Sequence, residues 1–127
     1  MDVTPLIPAG RQIVESYGSG GFKVSGKSYA GAIVVFPDRT VGWNIASVSV
    51  ITSESLSGVS EAGRAGSVDI LLIGCGARMA PIPSTIRQGL RTDGIVVEAM
   101  DTGAACRTYN VLMSEGRRVA AALIAVE

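Results

Sequence analysis

The chain has 127 residues, 47% of them hydrophobic and 17% charged, with Lys+Arg and Asp+Glu balanced at 11 each and no histidine. That length holds one domain with a genuine core, and the composition excludes disorder. The balanced charge offers no net field to a polyanion or an anionic bilayer, and the missing imidazole removes Cys/His zinc sites and every Ser-His-Asp or Cys-His catalytic arrangement.

Nucleic acid is therefore not an expected partner, and no metal or other cofactor is expected. Cys75 and Cys106 form no CxxC unit, and two cysteines alone do not close a tetrahedral site. Aromatic residues make up 5% of the chain, so the core must come from Val, Ile, Leu and Ala, which suits a sheet buried on both faces.

The opening "MDVTPLIPAGRQIVESY" has no basic segment followed by an apolar run, so no secretory signal is read. Residues 1–10 are expected to form an irregular arm of a single domain covering 1–127. From Gln12 to about Val50, short apolar runs alternate with glycine-rich or Pro-Asp punctuation. "VSGKSY" carries a Ser-Gly turn and "FPDRTV" a Pro-Asp turn between β-prone segments, which predicts two successive hairpins in an antiparallel meander. "YGSGGF" reads as a wide turn or bulge, Trp43 as core, and Asp38 and Arg39 as solvated turn residues.

Beyond Thr52 the pattern changes to strand-and-helix alternation. "TSESLSGVSEAG" has Leu56 and Val59 at helical spacing, and "VDILLIG" is a continuous apolar run ended by glycine. "IPSTIRQGLRTDG" spaces Ile82, Ile86 and Leu90 by four after a Pro-Ser opening, and "GIVVEAM" is another buried strand. A last helix and the strand "RVAAALIAV" complete β-α-β-α-β. Strands joined through helices tend to lie parallel with right-handed crossovers. The expected fold is α/β in three layers: a mixed central sheet, entered by N-terminal antiparallel hairpins, with helices on its faces. No stretch approaches the roughly 18 unbroken apolar residues of a spanning helix, so a soluble cytoplasmic protein is expected.

Two stretches invite a functional reading. In "LIGCGARMAPIPSTI" a glycine-flanked loop leaves a central strand and leads to a helix, a place where α/β proteins offer backbone N–H groups to an anion. The spacing matches neither GxGxxG nor a phosphate loop, and the bland reading is that Gly74 and Gly76 only turn the chain. If the loops after "VDILLI" and "GIVVEAM" are neighbours, Gly74, Cys75, Gly76, Arg78, Asp101 and Thr102 form one candidate pocket.

The second stretch is "MDTGAACRTYNVLMSEGRR". Advancing about 100° per residue along a helix, Ala104, Ala105, Thr108, Val111 and Leu112 share one arc, read as the face against a sheet. Cys106, Tyr109, Asn110 and Met113 share the opposite arc. That arc is covered by the front meander or a helix, or is a contact surface for a partner or a second subunit, or is reactive. Asp101 and Thr102 at the helix start read as caps. Cys106 stands about a turn inside, where the helix field that lowers a thiol pKa has weakened. The arc is taken as a candidate contact surface, with a homodimer as one possible use of it.

In order, "YGSGGFKVSGKSYAGAIVVFPDRTVGWNI", "VDILLIGCGARMAPIP" and "GIVVEAMDTGAACRTYNVLMSEGRRVAAALI" resemble the small single-domain family of the complex I (NADH:ubiquinone oxidoreductase) assembly factor 3 and its bacterial relatives of unknown function. The most specific part is the "MDT..AC.TYN.L..EGR" pattern from Met100 to Arg117. The resemblance implies an α/β fold with a mixed sheet and no accepted catalytic residues. It further implies a non-catalytic assembly or scaffold role exercised by protein contact. Respiratory-complex subunits or membrane-insertion factors would be the partners, in a bacterial cytoplasmic protein peripheral to the inner membrane through them. A small-molecule or anion-binding protein using the 74–83 loop is the alternative, and a self-associating module the next.

Overall fold

The computed structural model describes residues 10–127, so all but the last residue of the expected N-terminal arm lies outside it. Strands β1 (Val14–Gly18), β2 (Gly21–Val24) and β3 (Lys27–Ala30) form an antiparallel sheet in the order β1-β2-β3. Strands β4 (Ile33–Phe36), β5 (Arg39–Gly42), β6 (Ile70–Gly74), β7 (Val96–Met100) and β8 (Val119–Leu123) form a second, in the order β5-β4-β8-β6-β7. In the larger sheet β4 runs antiparallel to β5 and β8, while β6 is parallel to both β7 and β8. Helices α1 (Ser57–Arg64), α2 (Ser84–Thr92) and α3 (Thr102–Ser114) complete the fold. This is the mixed α/β architecture with antiparallel hairpins in front that the sequence predicts.

Both expected hairpins form. Ser25 and Gly26 turn at φ 47° and 84° between β2 and β3, the pair of left-handed residues that matches strand twist in a two-residue loop. Pro37 and Asp38 connect β4 to β5, where Phe36 pairs with Arg39 and the Arg39 guanidinium lies 3.9 Å from the Phe36 ring centre. "YGSGGF" is tighter than a wide turn: Gly18 pairs directly with Gly21, across Ser19 and Gly20 at φ 52° and 78°. The irregularity lies earlier, between Val14 and Ser16.

The meander does not stay in one sheet. β4 is buried at all four positions, whereas β1 is exposed at three of its five. A strand buried on both faces needs cover on both, so after Gly31 the chain leaves the small sheet and β4 enters the large one. Val34, Phe36, Leu71, Ile73, Ala120 and Ala122 face α1 and α2, together with Leu56, Val59, Ile86, Leu90 and Trp43. Ile33, Val35, Leu72, Val119, Ala121 and Leu123 face the other way, toward α3 and the small sheet. The layers are thus α1 and α2, the mixed sheet, then α3 with the three-stranded sheet.

The buried face of α3 differs from the expected one. Ala105 is buried as expected, at 0% exposed, but Cys106, Tyr109 and Met113 are 4%, 0% and 4% exposed, while Val111, expected inward, is 55% exposed. The large side chains go inward because the sheet beneath contributes a small one, Ala121 of β8, and because Phe22, Val24 and Val14 of the small sheet close over them. A small-on-small contact would have left the interior unfilled.

Candidate functional site

The loops after β6 and β7 do meet, and a threonine ties them. Cys75 N–H donates to Met100 O at 2.8 Å, Thr102 N–H to Gly76 O at 2.8 Å, and Ile124 N–H to Gly74 O at 2.9 Å. The Thr102 hydroxyl accepts from Gly76 N–H at 2.9 Å and donates to Ile124 O at 2.7 Å. Thr102 is fully buried, so one side chain joins the ends of β6 and β8 to the start of α3. Gly74 is required by this closeness: a Cβ there would stand 3.0 Å from Thr102 Cα and Oγ1 and from Leu123 Cδ2.

The remaining groups of the rim are also engaged. Asp101 is the N-cap of α3, its carboxylate accepting from Ala104 N–H at 2.9 Å. Gly76 turns the chain at φ 95°. Cys75 Sγ lies 3.5 Å from Ala80 O, and Ala77, Arg78 and Met79 stand exposed beyond it. Gly74, Cys75, Gly76, Asp101 and Thr102 therefore come together, with Arg78 on the solvent side, and the N–H groups of Cys75, Gly76 and Thr102 and the Thr102 hydroxyl are spent on holding strand ends.

The contact surface expected at Cys106, Tyr109, Asn110 and Met113 is corrected by burial within the same chain. Tyr109 OH donates to Gln12 O at 2.9 Å. Asn110 takes the place of a neighbouring strand on β1: its Oδ1 accepts from Val14 N–H at 3.0 Å and its Nδ2 donates to Val14 O at 2.8 Å. These bonds seat the small sheet on α3, so the arc is a seam between layers, covered by the front meander as one of the sequence readings had it. Burial pushes the Cys106 thiol up to about 12, against a smaller lowering by Arg107. Such a thiol is inert as a nucleophile at neutral pH. Burial likewise raises the Tyr109 hydroxyl.

Sequence reasoning passed over a third place. Between α2 and β7, Arg87, Gln88, Arg91, Ile95, Val96 and Val97 line a cavity of about 230 Å³. Arg87 Nη1 donates to Val97 O at 2.8 Å. The signal was present in "IRQGLR", where Arg87 and Arg91 are four apart and hence on one helix stripe.

A mixed five-stranded sheet carrying an antiparallel three-stranded sheet and α3 on one face, in a chain of this size, defines a recognisable class of small α/β domain. The sequence pattern of the DUF498/DUF598 family, described as a protein of unknown function, matches residues 14–124, and the chain belongs to that family. It is 34% identical over 120 residues to an uncharacterized protein of Rhodobacter capsulatus, covering 91% of this chain and 86% of that one. It is 38% identical to the Xenopus tropicalis protein named NADH dehydrogenase (ubiquinone) 1 alpha subcomplex assembly factor 3, over 87% of this chain and 60% of that relative. The human protein of that name is 37% identical over 87% of this chain and 59% of its own length. The chain thus spans about six-tenths of the length of these assembly-factor relatives.

Among solved structures, a Bartonella henselae protein described as an outer membrane protein superposes with a TM-score of 0.86 at 39% identity, covering 93% of this chain and 98% of that one. A Bordetella parapertussis protein superposes at 0.82 with 35% identity, covering 93% and 99%. The family resemblance read from the sequence is thereby shown, over residues 14–124. The geometry assigns that motif structural work: Asp101 caps, Thr102 ties the strand ends, Tyr109 and Asn110 seat the small sheet. Gly116 at φ 78° ends the helix, with Arg117 N–H donating to Leu112 O at 2.9 Å.

Proposed function

We propose that this protein is a non-catalytic assembly or scaffold protein that acts by protein contact in the building of respiratory complex I. The observation that carries the reading is the 37–38% identity to proteins named as complex I assembly factors over 87% of this chain. Two features of the fold support it. The Thr102 hydroxyl and Gly76 N–H of the rim are consumed internally, and the thiol most suspected of chemistry is buried and proton-bound. Among the described residues, no helix is long and apolar enough to cross a membrane, so contact with a membrane-bound complex would run through its subunits or through insertion factors.

The test is affinity purification of the tagged full-length protein from its native cells after mild crosslinking. Respiratory-complex subunits or membrane-insertion factors should accompany it. An eluate holding only the bait, at a crosslinker dose that captures known complexes in the same cells, overturns the reading.

A further inference from the structure

Strand β7 closes one edge of the five-stranded sheet, and among the described residues nothing pairs with its outer side. Val96 N–H donates to Asp69 O on the β6 side at 3.0 Å. By the alternation of a parallel ladder, the main-chain groups of Val97 and Ala99 then point outward. Arg87 agrees with that direction, since its Nη1 reaches Val97 O at 2.8 Å from outside the sheet. An edge with outward N–H and C=O groups is a template for another strand. Beside it, α2 sets Arg87 and Arg91 one turn apart over the 230 Å³ groove, and neither is in an ion pair with a described residue.

We propose that this groove docks an extended acidic segment of a protein partner, which adds to β7 as a sixth strand; the inference rests on the assembly reading above and names its contact surface. Side chains of an added strand alternate between the faces of the sheet. Those on the α2 side meet Arg87 and Arg91, which favours Asp or Glu at alternate positions. One between them lies beside Val96, which is 49% exposed, and favours an apolar residue. Main-chain bonds supply affinity in this mode, and the side-chain contacts supply selectivity.

Arg87 makes acidity a requirement of docking. While its guanidinium holds Val97 O, that acceptor is closed to an incoming N–H, which protects the edge from other copies of the chain. A carboxylate forms the stronger charge-assisted bond and draws the guanidinium off. The carbonyl is then free for the partner's backbone, whereas a neutral or basic segment leaves the cap in place.

The experiment places a photo-crosslinking amino acid at Gln88, exposed at the groove, in the full chain in native cells, with Val50 on another exposed surface as control. Mass spectrometry of the crosslinked peptides should show a segment of a different protein with acidic residues at alternate positions. Arg91→Glu, at an exposed position, should lower the yield about fivefold, the upper range for an exposed charge at an interface, with the thermal unfolding curve unchanged. Absence of crosslinks at Gln88, crosslinks to a segment without acidic residues or to a second copy of this chain, or a yield indifferent to Arg91→Glu each overturns the proposal. Respiratory subunits that still copurify when Gln88 gives no crosslinks would leave the assembly reading standing without the groove. An acidic segment from a protein unrelated to that complex would do the reverse.

Discussion

Helices α1 and α2 reach the five-stranded sheet through Leu56, Val59, Ile86 and Leu90, whereas the opposite layer reaches it through a tyrosine, a cysteine and a threonine as well as aliphatic residues. On the first side the side-chain ties are Trp43 Nε1 donating to Ser55 O at 2.9 Å and, at the rim of the sheet, Arg87 Nη1 donating to Val97 O at 2.8 Å. On the second, Tyr109, Asn110 and Thr102 each bond main-chain groups distant in sequence. Aliphatic packing is non-directional and tolerates small slides. Buried hydrogen bonds fix one register, because a slipped partner leaves polar groups unpaired. The difference teaches where this fold sets its geometry: in the seam of α3, with the helices of the other face supplying cover.

The most severe way to break that contrast is at Tyr109. Tyr109→Ala removes a side chain that is fully buried between α3 and the small sheet and should cost about 3–5 kcal/mol. Tyr109→Phe loses only the bond to Gln12 O and should cost roughly 1 kcal/mol. Urea unfolding measures both. A loss below about 1 kcal/mol for Tyr109→Ala would mean that the small sheet does not depend on α3 for its place.

The same seam should make the protein sensitive to alkali. Cys106 is carried from 9.0 to about 12, mainly by burial, and Tyr109 is raised for the same reason. The folded state therefore holds protons that the unfolded chain releases. The stability they contribute is fully present below pH 9 and is lost as pH rises toward 12. For Cys106 the loss amounts to something on the order of 4 kcal/mol. Urea midpoints should be level up to about pH 9 and then fall, and Cys106→Ala should flatten part of the slope. An unaltered slope in that variant would show that the thiol ionises alike in the folded and unfolded states and is not the group responsible.

Thr102 sharpens the comparison at the other end of the helix. Thr102→Val keeps the shape but strands Gly76 N–H and Ile124 C=O inside the fold, at a cost of about 2–3 kcal/mol. Thr102→Ser should retain most of the stability, because the hydroxyl remains. If Thr102→Val left the unfolding midpoint where it was, the hydroxyl would not be needed to hold the strand ends, which would favour the ligand-binding alternative for the rim.

How much of this was legible in the sequence follows from which signals are local. The apolar runs "VDILLIG" and "GIVVEAM", the four-spaced Ile82, Ile86 and Leu90, and the turn chemistry of Ser25-Gly26 all report local structure, and they fixed the element order and the class. Strand order did not follow, since nothing local says that β8 inserts between β4 and β6. Among the readings of the helix arc, cover by the front meander was right and the contact surface was not, and the two could not be separated until Gln12 and Val14, nearly a hundred positions away, supplied partners to Tyr109 and Asn110. The loop rim was correctly brought together, yet its chemistry lies in Thr102 reaching two backbones at once. The paired arginines of α2 were readable by spacing alone. Their meaning depended on β7 being an edge.

The smallest effects fall on the aliphatic layer, where two glycines should respond with opposite signs. Gly89 lies inside α2, and a Cβ built on it meets nothing within 4 Å. It lines a cleft of about 120 Å³ against Leu56 and Ser60. Gly89→Ala should therefore stabilise by roughly 0.5–1 kcal/mol, the helix propensity gained without strain. Gly63, in α1, has no such space: its Cβ would meet the Ile95 side chain and stand 2.8 Å from Asp93 O. The side chain can swing aside but the carbonyl cannot, so Gly63→Ala should cost about 1–3 kcal/mol by overpacking. Paired thermal unfolding curves decide it. A cost for Gly89→Ala would mean that α1 and α2 close on each other more tightly than this cleft allows. The two faces of the sheet would then differ less in slack than in the kind of bond that removes it.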